Sequence, residues 1–439
     1  MTDSLQTWGA GTRLGAFESL MWRLDGFPGL RGSVVGIEML AHAPDWGALT
    51  ALHRQLIAST PRLHQRPAEN TLQIGHLHWV DAPLCTLEHH LRRITLPTPA
   101  THRALLDFAQ SFAMEAFDAD HSPWQAVLVE HLDSGQAAYI FKLHHCLSDG
   151  MGIVQLLSAL NQPLKTAARS TPAAAQRKTT PTPDAPPAVP PGARLARYAA
   201  SARRVLAPYS APPSALLAQR SGQWHFETMM LPFASLHAAA RAAHASLNDA
   251  FLAGVLGGFG RYHARYGTVP AALPIAMPIS IRRADTPTGG NHFAAGIFAA
   301  PLAERDPVAR MRRIALKVAQ WRNEPALALP LKLMNLMTCV PAATAARAMT
   351  ERLSRQDLQI SNVPGFRVPV ALAGAPVTAL YPFAPLPGCA GMLAMVSYAT
   401  DCGLGFNLDA AAVAHPAQLM QDMGDAFTEI LALGTSHAD

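Results

Sequence analysis

The feature that most constrains the fold is a long segment that cannot form part of a core. Between Thr166 and Gly192 the chain consists mostly of Pro, Ala and Thr, and large apolar side chains are nearly absent. Such a composition is typical of a linker or a disordered loop, because it offers little apolar surface to bury. We therefore predict an N-terminal domain over residues 1–165, a linker over 166–192 and a C-terminal domain over 193–439.

Strand and helix patterns alternate on both sides of this segment. The predicted strands cover residues 33–39, 124–131, 137–145, 292–300, 391–398 and 403–408. A helical pattern covers residues 46–59, and a second one follows the N-cap residue Ser246 as far as Gly267. Pro416 begins a closing helix that ends near Gly434. These patterns predict an α/β fold with mixed sheets in two halves.

The heptapeptide His144-His145-Cys146-Leu147-Ser148-Asp149-Gly150 stands where a predicted strand passes into a predicted helix. Loops at such junctions commonly carry active sites in α/β proteins. Because side chains alternate across a strand, His144 and His145 point to opposite faces and cannot serve one site or chelate one metal together. Only one of the two histidines is therefore expected to do chemistry.

An imidazole in this loop is suited to remove a proton from an attacking hydroxyl, because its ordinary pKa lies near neutral pH. Asp149 has two possible roles. It can orient the histidine ring directly, or it can anchor the loop through an arginine elsewhere in the chain. The plainer structural interpretation is a hydrogen-bonded histidine pair beside an Asp-Gly turn, but a complete heptapeptide favours the chemical role.

Three further clusters carry both structural and functional interpretations. Asn248-Asp249 lies in the first turn of a helix, where acidic and short polar side chains satisfy free amides. Ser280 and Arg282 share one face of a predicted strand, so that Arg282 can pair with a buried carboxylate such as Asp149. Ser361-Asn362 precedes a predicted Pro-Gly turn, and its hydroxyl and amide are candidate donors to a developing oxyanion.

Composition excludes several classes of protein. The five cysteines have no Cys-x-x-Cys pair, so neither a disulfide framework nor a zinc site is expected, and a cytoplasmic location fits best. No signal peptide and no transmembrane helix are predicted. A net charge of +5 without a long basic run makes nucleic acid an unlikely partner. Residues 193–220 and 330–355 combine basic and apolar side chains, which favours solvated helices, with peripheral contact with a membrane or lipid inclusion as the alternative.

Taken together, these segments resemble the bacterial wax ester synthase/diacylglycerol acyltransferase family, which shares the chloramphenicol acetyltransferase-like fold. The resemblance runs nearly end to end. Its N-terminal part is carried by Leu14–Asp25, by Ser122-Pro123-Trp124 at the place of the family's Pro-Leu-Trp motif, and by the heptapeptide. Its C-terminal part is carried by Asn248-Asp249, Gly290-Asn291, Ser361-Asn362-Val363-Pro364-Gly365, Gly374-Ala375-Pro376-Val377, Tyr381-Pro382, Ser397-Tyr398, Gly405 and Asp409.

The resemblance implies two acyltransferase domains with a tunnel between them, through which acyl-CoA and a fatty alcohol or diacylglycerol reach one histidine. It makes His145 the general base, with direct transfer, no acyl-enzyme and no cofactor. His144 is then expected to give a supporting hydrogen bond, while Gly150 and an Asp149–Arg282 ion pair support the motif. The residues expected at the tunnel wall or oxyanion are Trp124, Asn248, Asp249, Ser361 and Asn362.

Cys146 is the alternative catalytic residue, as a covalent nucleophile, but strand alternation turns it away from the face of His145. Two other functions stay open. One is an enzyme of the same fold that uses a carrier-protein donor, or a polyketide or another alcohol as acceptor. The other is a non-catalytic lipid-binding protein, against which the intact His145 and Asp149 argue.

Overall fold

A computed structural model describes residues 5–164, 191–207, 211–282 and 289–435. The strands are β1 Ser33–Leu40, β2 Gln65–Ala68, β3 His78–Asp81, β4 Leu91–Thr95, β5 Trp124–Glu130, β6 Ala137–His144, β7 Asn161–Pro163, β8 Trp224–Pro232, β9 Leu273–Ser280, β10 Phe293–Ala300, β11 Leu358–Phe366, β12 Val370–Leu372, β13 Ala375–Phe383, β14 Gly391–Tyr398 and β15 Asp401–Asp409. The helices are α1 Ala16–Leu24, α2 Trp46–Ser59, α3 Leu87–His90, α4 His102–Met114, α5 Gly150–Leu160, α6 Pro191–Leu206, α7 Phe233–Ala242, α8 Leu247–Tyr266, α9 Pro307–Arg322, α10 Leu329–Met337, α11 Ala342–Leu353 and α12 Pro416–Thr435, and a 3-10 turn covers Pro61–His64.

The first sheet carries the heptapeptide at the end of one of its central strands. Its strand order is β4-β5-β6-β1-β13-β12-β7, and β6 pairs antiparallel with β1 and β5, whereas β4 and β5 run parallel. Every residue of β6 is buried, because α2 and α5 cover one face of this sheet and α4 covers the other. A strand covered on both faces explains why its sequence is apolar without strict alternation.

The second sheet has the order β10-β9-β11-β14-β15-β8. It is mixed, because β11 runs parallel to both β9 and β14 while the other pairs are antiparallel. Helices α7, α8 and α12 bury their apolar sides against it. Gly254 and Gly258 of α8 allow α12 to approach closely, since an added methyl group would collide with Phe427 and Met423.

The division of the chain into domains differs from the prediction. Strands β12 and β13, from the C-terminal half, complete the first sheet, and β13 pairs with β1 along the register from Val35 with Phe383 to Leu40 with Val377. Assigning all of residues 193–439 to a second domain was therefore wrong for residues 370–383. The predicted linker over 166–192 lies outside the described residues except for its last two, which begin α6.

Most predicted elements are present with small shifts of their ends. Ser246 caps α8 through a reciprocal pair of hydrogen bonds with Asp249, and the helix ends at Gly267 as its pattern predicts. Within the residues that the structure describes, no helix is both long and apolar enough to cross a membrane.

Candidate active site

The heptapeptide forms a tight turn between β6 and α5. β6 ends at His144, the next three residues turn, and Asp149 caps α5 by accepting a hydrogen bond from the Gly152 amide at 3.2 Å. The amide of His145 donates to the Gly32 carbonyl at 2.7 Å. The backbone therefore fixes both ends of the motif in the first half of the molecule.

His145 lies partly exposed between two phenylalanine rings. The centroids of Phe17 and Phe293 are 6.3 and 5.9 Å from that of the imidazole. Nδ1 is buried and has no well-formed hydrogen bond in the described part of the chain, so Nε2 is the accessible nitrogen. Burial lowers the pKa of His145, against the opposing effects of its own carbonyl group and of Asp149. The ring is consequently neutral near pH 7, as a general base must be.

His144 lies on the opposite side in a closed environment. Its Nδ1 accepts a hydrogen bond from the Cys146 amide at 3.1 Å, so Nε2 carries the proton and donates it to Asp25 Oδ1 at 3.2 Å. Burial alone would raise the pKa of Asp25, but the hydrogen bond from His144, the Gly32 amide and the charge of Arg31 outweigh it and lower that pKa. These contacts fit a supporting role for His144.

Asp149 faces Arg282 across the boundary between the two halves. Nη2 of Arg282 donates to Oδ1 and Oδ2 of Asp149 at 2.9 and 3.0 Å, and also to the carbonyls of Gly289 and Gly290. The amide of His292 adds a donor to Oδ2 at 3.2 Å. Within the described chain Asp149 has no hydrogen bond to the His145 ring, so its contacts fit the anchoring role rather than the orienting one.

The turn at residues 289–292 fits against the motif along its backbone. Ser148 and Gly290 form a β-bridge, and the Asp149 amide donates to the Gly290 carbonyl at 3.1 Å. Gly289 has a φ of +75°, and an added Cβ would lie 2.6 Å from the Gly9 amide nitrogen. Gly150 is similarly confined, because its added Cβ would lie 2.7 Å from Val363. The two halves therefore meet through glycines around the motif.

A cavity of about 830 Å³ opens in the second half. Asn248 at the start of α8, Ser280 at the end of β9 and Asn362 in β11 give it polar groups, while Met277 and Leu327 are among its apolar residues. β9 connects the cavity to the motif, because Ser280 pairs with Phe293, whose ring flanks His145. All the lining residues come from the C-terminal half, whereas the predicted tunnel lies between the domains.

Several candidate residues lie elsewhere. Trp124 is fully buried in the core of the first half, stacked on His90 with Nε1 donating to the Leu63 carbonyl at 3.1 Å, so its assignment to the substrate wall was wrong. Asp249 is the capping partner of Ser246, which corrects its assignment as a substrate residue. Ser361 is partly buried and does not line the cavity.

Two local predictions need correction. Pro364 and Gly365 do not form a turn but lie inside β11, which is irregular there because Gly365 packs against the backbone of Ser397. Arg282 does not share a strand face with Ser280, since β9 ends at Ser280 and the arginine follows in a loop. That loop directs the two side chains to different places, Ser280 to the cavity and Arg282 to Asp149.

Sequence analysis assigned no role to Phe17, Glu18, Asn291 or Phe293, which surround His145. The side-chain amide of Asn291 donates a hydrogen bond through Nδ2 to the His145 carbonyl oxygen at 2.8 Å. Gly290-Asn291 was part of the family resemblance, so a signal for Asn291 existed. Phe17 and Glu18 likewise lie within Leu14–Asp25, another segment of that resemblance, whereas Phe293 had no such signal, because an aromatic residue in a strand is ordinarily a core residue.

Cys146 does not compete with His145 for this site. Burial strongly raises the pKa of the Cys146 thiol, which is 2 % exposed, so it stays protonated and is a poor nucleophile. Within the described ranges, no group of three or more His, Cys, Asp or Glu residues is arranged to hold a metal ion.

Comparison with known proteins places this geometry in a family. The sequence model of the wax ester synthase/diacylglycerol acyltransferase catalytic domain matches residues 32–251, and the model of the C-terminal domain of the same family matches residues 289–431. A putative diacylglycerol O-acyltransferase of Mycobacterium tuberculosis is 31 % identical, over 99 % of this chain and 94 % of the relative. A probable diacylglycerol O-acyltransferase of the same species is 25 % identical, over 89 % of each chain.

Solved structures agree on the fold. The wax ester synthase/diacylglycerol acyltransferase from Marinobacter aquaeolei VT8 has a TM-score of 0.67 at 18 % identity, over 97 % of this chain and 100 % of that one. The first condensation domain of the calcium-dependent antibiotic synthetase has a TM-score of 0.64 at 15 % identity, over 98 % of each. The architecture is thus the two-domain, chloramphenicol acetyltransferase-like fold. The chain belongs to the wax ester synthase/diacylglycerol acyltransferase family.

Proposed function

We propose that this protein transfers a long-chain acyl group from acyl-CoA to the hydroxyl of a fatty alcohol or diacylglycerol, with His145 as general base. The observation that carries the proposal is the environment of His145. A neutral imidazole with an accessible Nε2 lies where the two halves meet, and its motif is fixed by the Asp149–Arg282 pair. Membership of the family supplies the reaction class.

In the proposed reaction, the acceptor oxygen attacks the thioester carbon while its proton passes to Nε2 of His145. The tetrahedral carbon then releases the CoA sulfur, which takes up the proton held by His145. One ester bond forms and one thioester bond breaks, giving an ester and free CoA thiol. Because the proton returns to the leaving group, the enzyme needs no covalent intermediate.

We assign the cavity beside β9 to one of the two substrates. Its volume, about 830 Å³, lies in the range of about 300–1,000 Å³ usual for small-molecule sites. Its lining combines apolar side chains with the amides of Asn248 and Asn362, the hydroxyl of Ser280 and the charged residues Arg322 and Glu324. Such a lining suits an amphipathic substrate, whose chain contacts the apolar part while its polar groups are hydrogen-bonded.

We further propose that the protein works at a lipid surface. Helix α10 has no buried residue, and it begins directly after the cavity residues Leu327 and Ala328. Leu336 on this helix is 68 % exposed, and Leu72 on a neighbouring loop is 78 % exposed. That loop is attached to the end of α10, since the Gly75 amide donates to the Thr338 carbonyl at 2.7 Å. Exposed leucines next to a cavity entrance suit uptake of an acceptor from lipid.

Binding to vesicles tests the surface. We expect sedimentation with vesicles of phosphatidylglycerol and phosphatidylcholine, and loss of that binding in the Leu72→Glu/Leu336→Glu double variant. The matched control is Leu316→Glu, which alters a leucine that is 74 % exposed on α9. Equal binding by all three proteins would contradict the proposed surface.

The reaction is tested by thiol release from palmitoyl-CoA, with and without hexadecanol or dioleoylglycerol. We expect acceptor-dependent release by the wild type, none above background by His145→Ala, and full activity of the control His42→Ala, which alters an exposed histidine. Release by His145→Ala at the wild-type rate would refute the assigned base. Absence of release with every acceptor would refute acyl-CoA as the donor and favour a carrier-linked donor or a lipid-binding role.

A further inference from the structure

Asn291 belongs to the second half of the molecule but contacts the backbone of His145. It follows the glycine pair at 289–290 that lies against the motif, and it precedes β10. Its Nδ2 donates to the His145 carbonyl oxygen at 2.8 Å. Its Oδ1 is buried and has no hydrogen-bond partner within the part of the chain that the structure describes. This amide therefore has a defined hydrogen bond to the residue expected to do the chemistry, and its side chain also interacts with the ring of that residue.

The carbonyl that Asn291 contacts also controls the state of the imidazole. Nδ1 of His145 is buried, and the carbonyl group of the same residue and the Asn291 side chain are both close enough to the ring to raise its pKa against the effect of burial. A proton on Nδ1 points toward that carbonyl oxygen, which leaves the lone pair on the accessible Nε2. The orientation of this one carbonyl thus decides which nitrogen is the base.

Glu18 interacts with both the side chain and the backbone of Asn291. It occupies the first turn of α1, where its carboxylate folds back over Gly15. Burial raises the pKa of Glu18, while its own amide and then the side chain and backbone of Asn291 oppose that rise. The side-chain amide of Asn291 is therefore close to two oxygen groups, the His145 carbonyl and the Glu18 carboxylate.

We infer that Asn291 is a positioning residue for the general base, and that Glu18 holds Asn291 in place. Asn291 fixes the carbonyl of His145, which fixes the proton on Nδ1 and so presents Nε2 to the acceptor hydroxyl. The arrangement links the two halves, because Glu18 and His145 come from the N-terminal half and Asn291 from the C-terminal half. The role assigned to Asn291 rests on the proposed function of His145, but part of its test does not require activity.

The first measurement is the ¹⁵N NMR spectrum of histidine-labelled protein, with the His145 signals assigned by their absence in His145→Ala. We expect the Nδ1-protonated tautomer in the wild type and a mixture of tautomers in Asn291→Ala. The control is Asn323→Ala, which alters an exposed amide at the end of α9 that bonds only within its own helix turn. An unchanged tautomer in Asn291→Ala would overturn the inference, even if the protein proved not to transfer acyl groups.

The second measurement is steady-state kinetics of CoA release. Asn291→Ala should lower kcat about 10²-fold, the size expected when a reacting group is displaced by about 1 Å, with little change in the KM for acyl-CoA. Glu18→Ala should behave in the same way, whereas Glu18→Gln should keep most of the activity because it retains an oxygen acceptor. Wild-type kcat in Glu18→Ala would overturn the part assigned to Glu18.

A merely structural role is separated by thermal melting. Glu18 could also stabilise the N-terminus of α1, as acidic residues in a first turn commonly do. In that case Glu18→Ala would lower both the melting temperature and the amount of folded enzyme, with kcat per folded molecule and the tautomer unchanged. That result would overturn the positioning role. A tautomer mixture at a nearly unchanged melting temperature would support it.

Discussion

The two sides of the β6 terminus hold adjacent histidines in opposite environments. On one side, His144 is fully buried with both nitrogens hydrogen-bonded, one to Asp25 and one to the Cys146 amide. On the other side, His145 has one buried nitrogen and one accessible nitrogen, and its ring faces Phe17 and Phe293. Two identical side chains thus differ in whether one nitrogen is left open, and this difference fits a supporting role for His144 and the proposed role of base for His145.

Under the proposed function, the difference means that proton chemistry at this site requires a nitrogen left open to the substrate, and not a histidine alone. A buried polar group normally needs a partner for each hydrogen-bonding atom, because leaving one unpaired costs about 1–3 kcal/mol. His144 meets that requirement inside its own half. His145 leaves one nitrogen for the substrate, and residues from the other half of the molecule complete its surroundings.

The contrast between His144 and His145 is tested by replacing each side chain with alanine. We expect the larger fall in kcat for His145. His145→Ala should lower kcat about 10²–10⁴-fold, the usual contribution of a general base. Its melting temperature should change little, because the ring is partly exposed. Thermal melting and CoA release on the same preparation check both statements. A variant that loses activity only because it unfolds would contradict the contrast.

Removing the anchor of the motif should affect folding as well as rate. Asp149→Ala leaves Arg282 without its carboxylate and the first turn of α5 without its cap. Both side chains are mostly buried, so we expect a loss of about 3 kcal/mol in the free energy of unfolding and a lower folded yield. Urea unfolding checks the value.

Asp149→Asn is the matched variant, because asparagine retains the cap but not the ion pair. It should lose less stability than Asp149→Ala. Soluble Asp149→Ala that melts normally and yet is inactive would argue for direct participation of Asp149 in the chemistry.

His144→Ala should lower stability more than it lowers rate. It leaves a small cavity and removes the donor to the Asp25 carboxylate, so we expect a loss of about 2–3 kcal/mol and less than a tenfold fall in kcat. Asp25 has a lowered pKa in the folded protein, so its stabilising contribution is present above the unfolded pKa and disappears as the pH falls through the folded one. That acid dependence of unfolding should shrink in His144→Ala, and an unchanged dependence would contradict the assigned pair.

A buried lysine, Lys142, lies two residues before His144 in β6. Its substitution is expected to have the smallest of the predicted effects. Burial lowers the pKa of Lys142 to about 8, although Glu115 and Asp25 oppose this. Between that value and the ordinary pKa of about 10.4 the unfolded chain binds more protons, so stability rises with pH there. From pH 7.5 to 9.5 the wild type should gain about 2 kcal/mol relative to Lys142→Met, as measured by urea unfolding at both values. Equal slopes would show that the charge of Lys142 is not buried in solution.

Several features of the fold follow from short-range patterns. The helix at Trp46–Ser59 and the helix capped by Ser246 have the predicted bounds, because capping and apolar spacing are local properties. The turn after β6 follows from its Asp-Gly residues, whereas alternation applies only up to His144, because β6 ends there and His145 lies in the turn. The Pro-Gly prediction was wrong for a non-local reason, since β14 pairs with β11 on both sides of these two residues and they form a register irregularity inside the strand.

The candidate site also has residues that the sequence identified and residues that it did not. The heptapeptide itself identified His145 as the candidate base and named Arg282 as a possible partner of Asp149. Trp124 was misassigned, because a motif position does not reveal whether a side chain faces a substrate or a core. Asn291, Glu18, Phe17 and Phe293 received no role, since they are distant from His145 in sequence.

By itself, the sequence determined the alternation of strands and helices, the position of the heptapeptide at a strand end and the family to which the chain is similar. The tertiary structure decided which sheet each strand joins, including the passage of β12 and β13 into the first sheet. It also decided which residues surround His145. The physical reason is that spacing and capping act within a few residues, whereas sheet register and side-chain contacts between the halves depend on packing between distant segments.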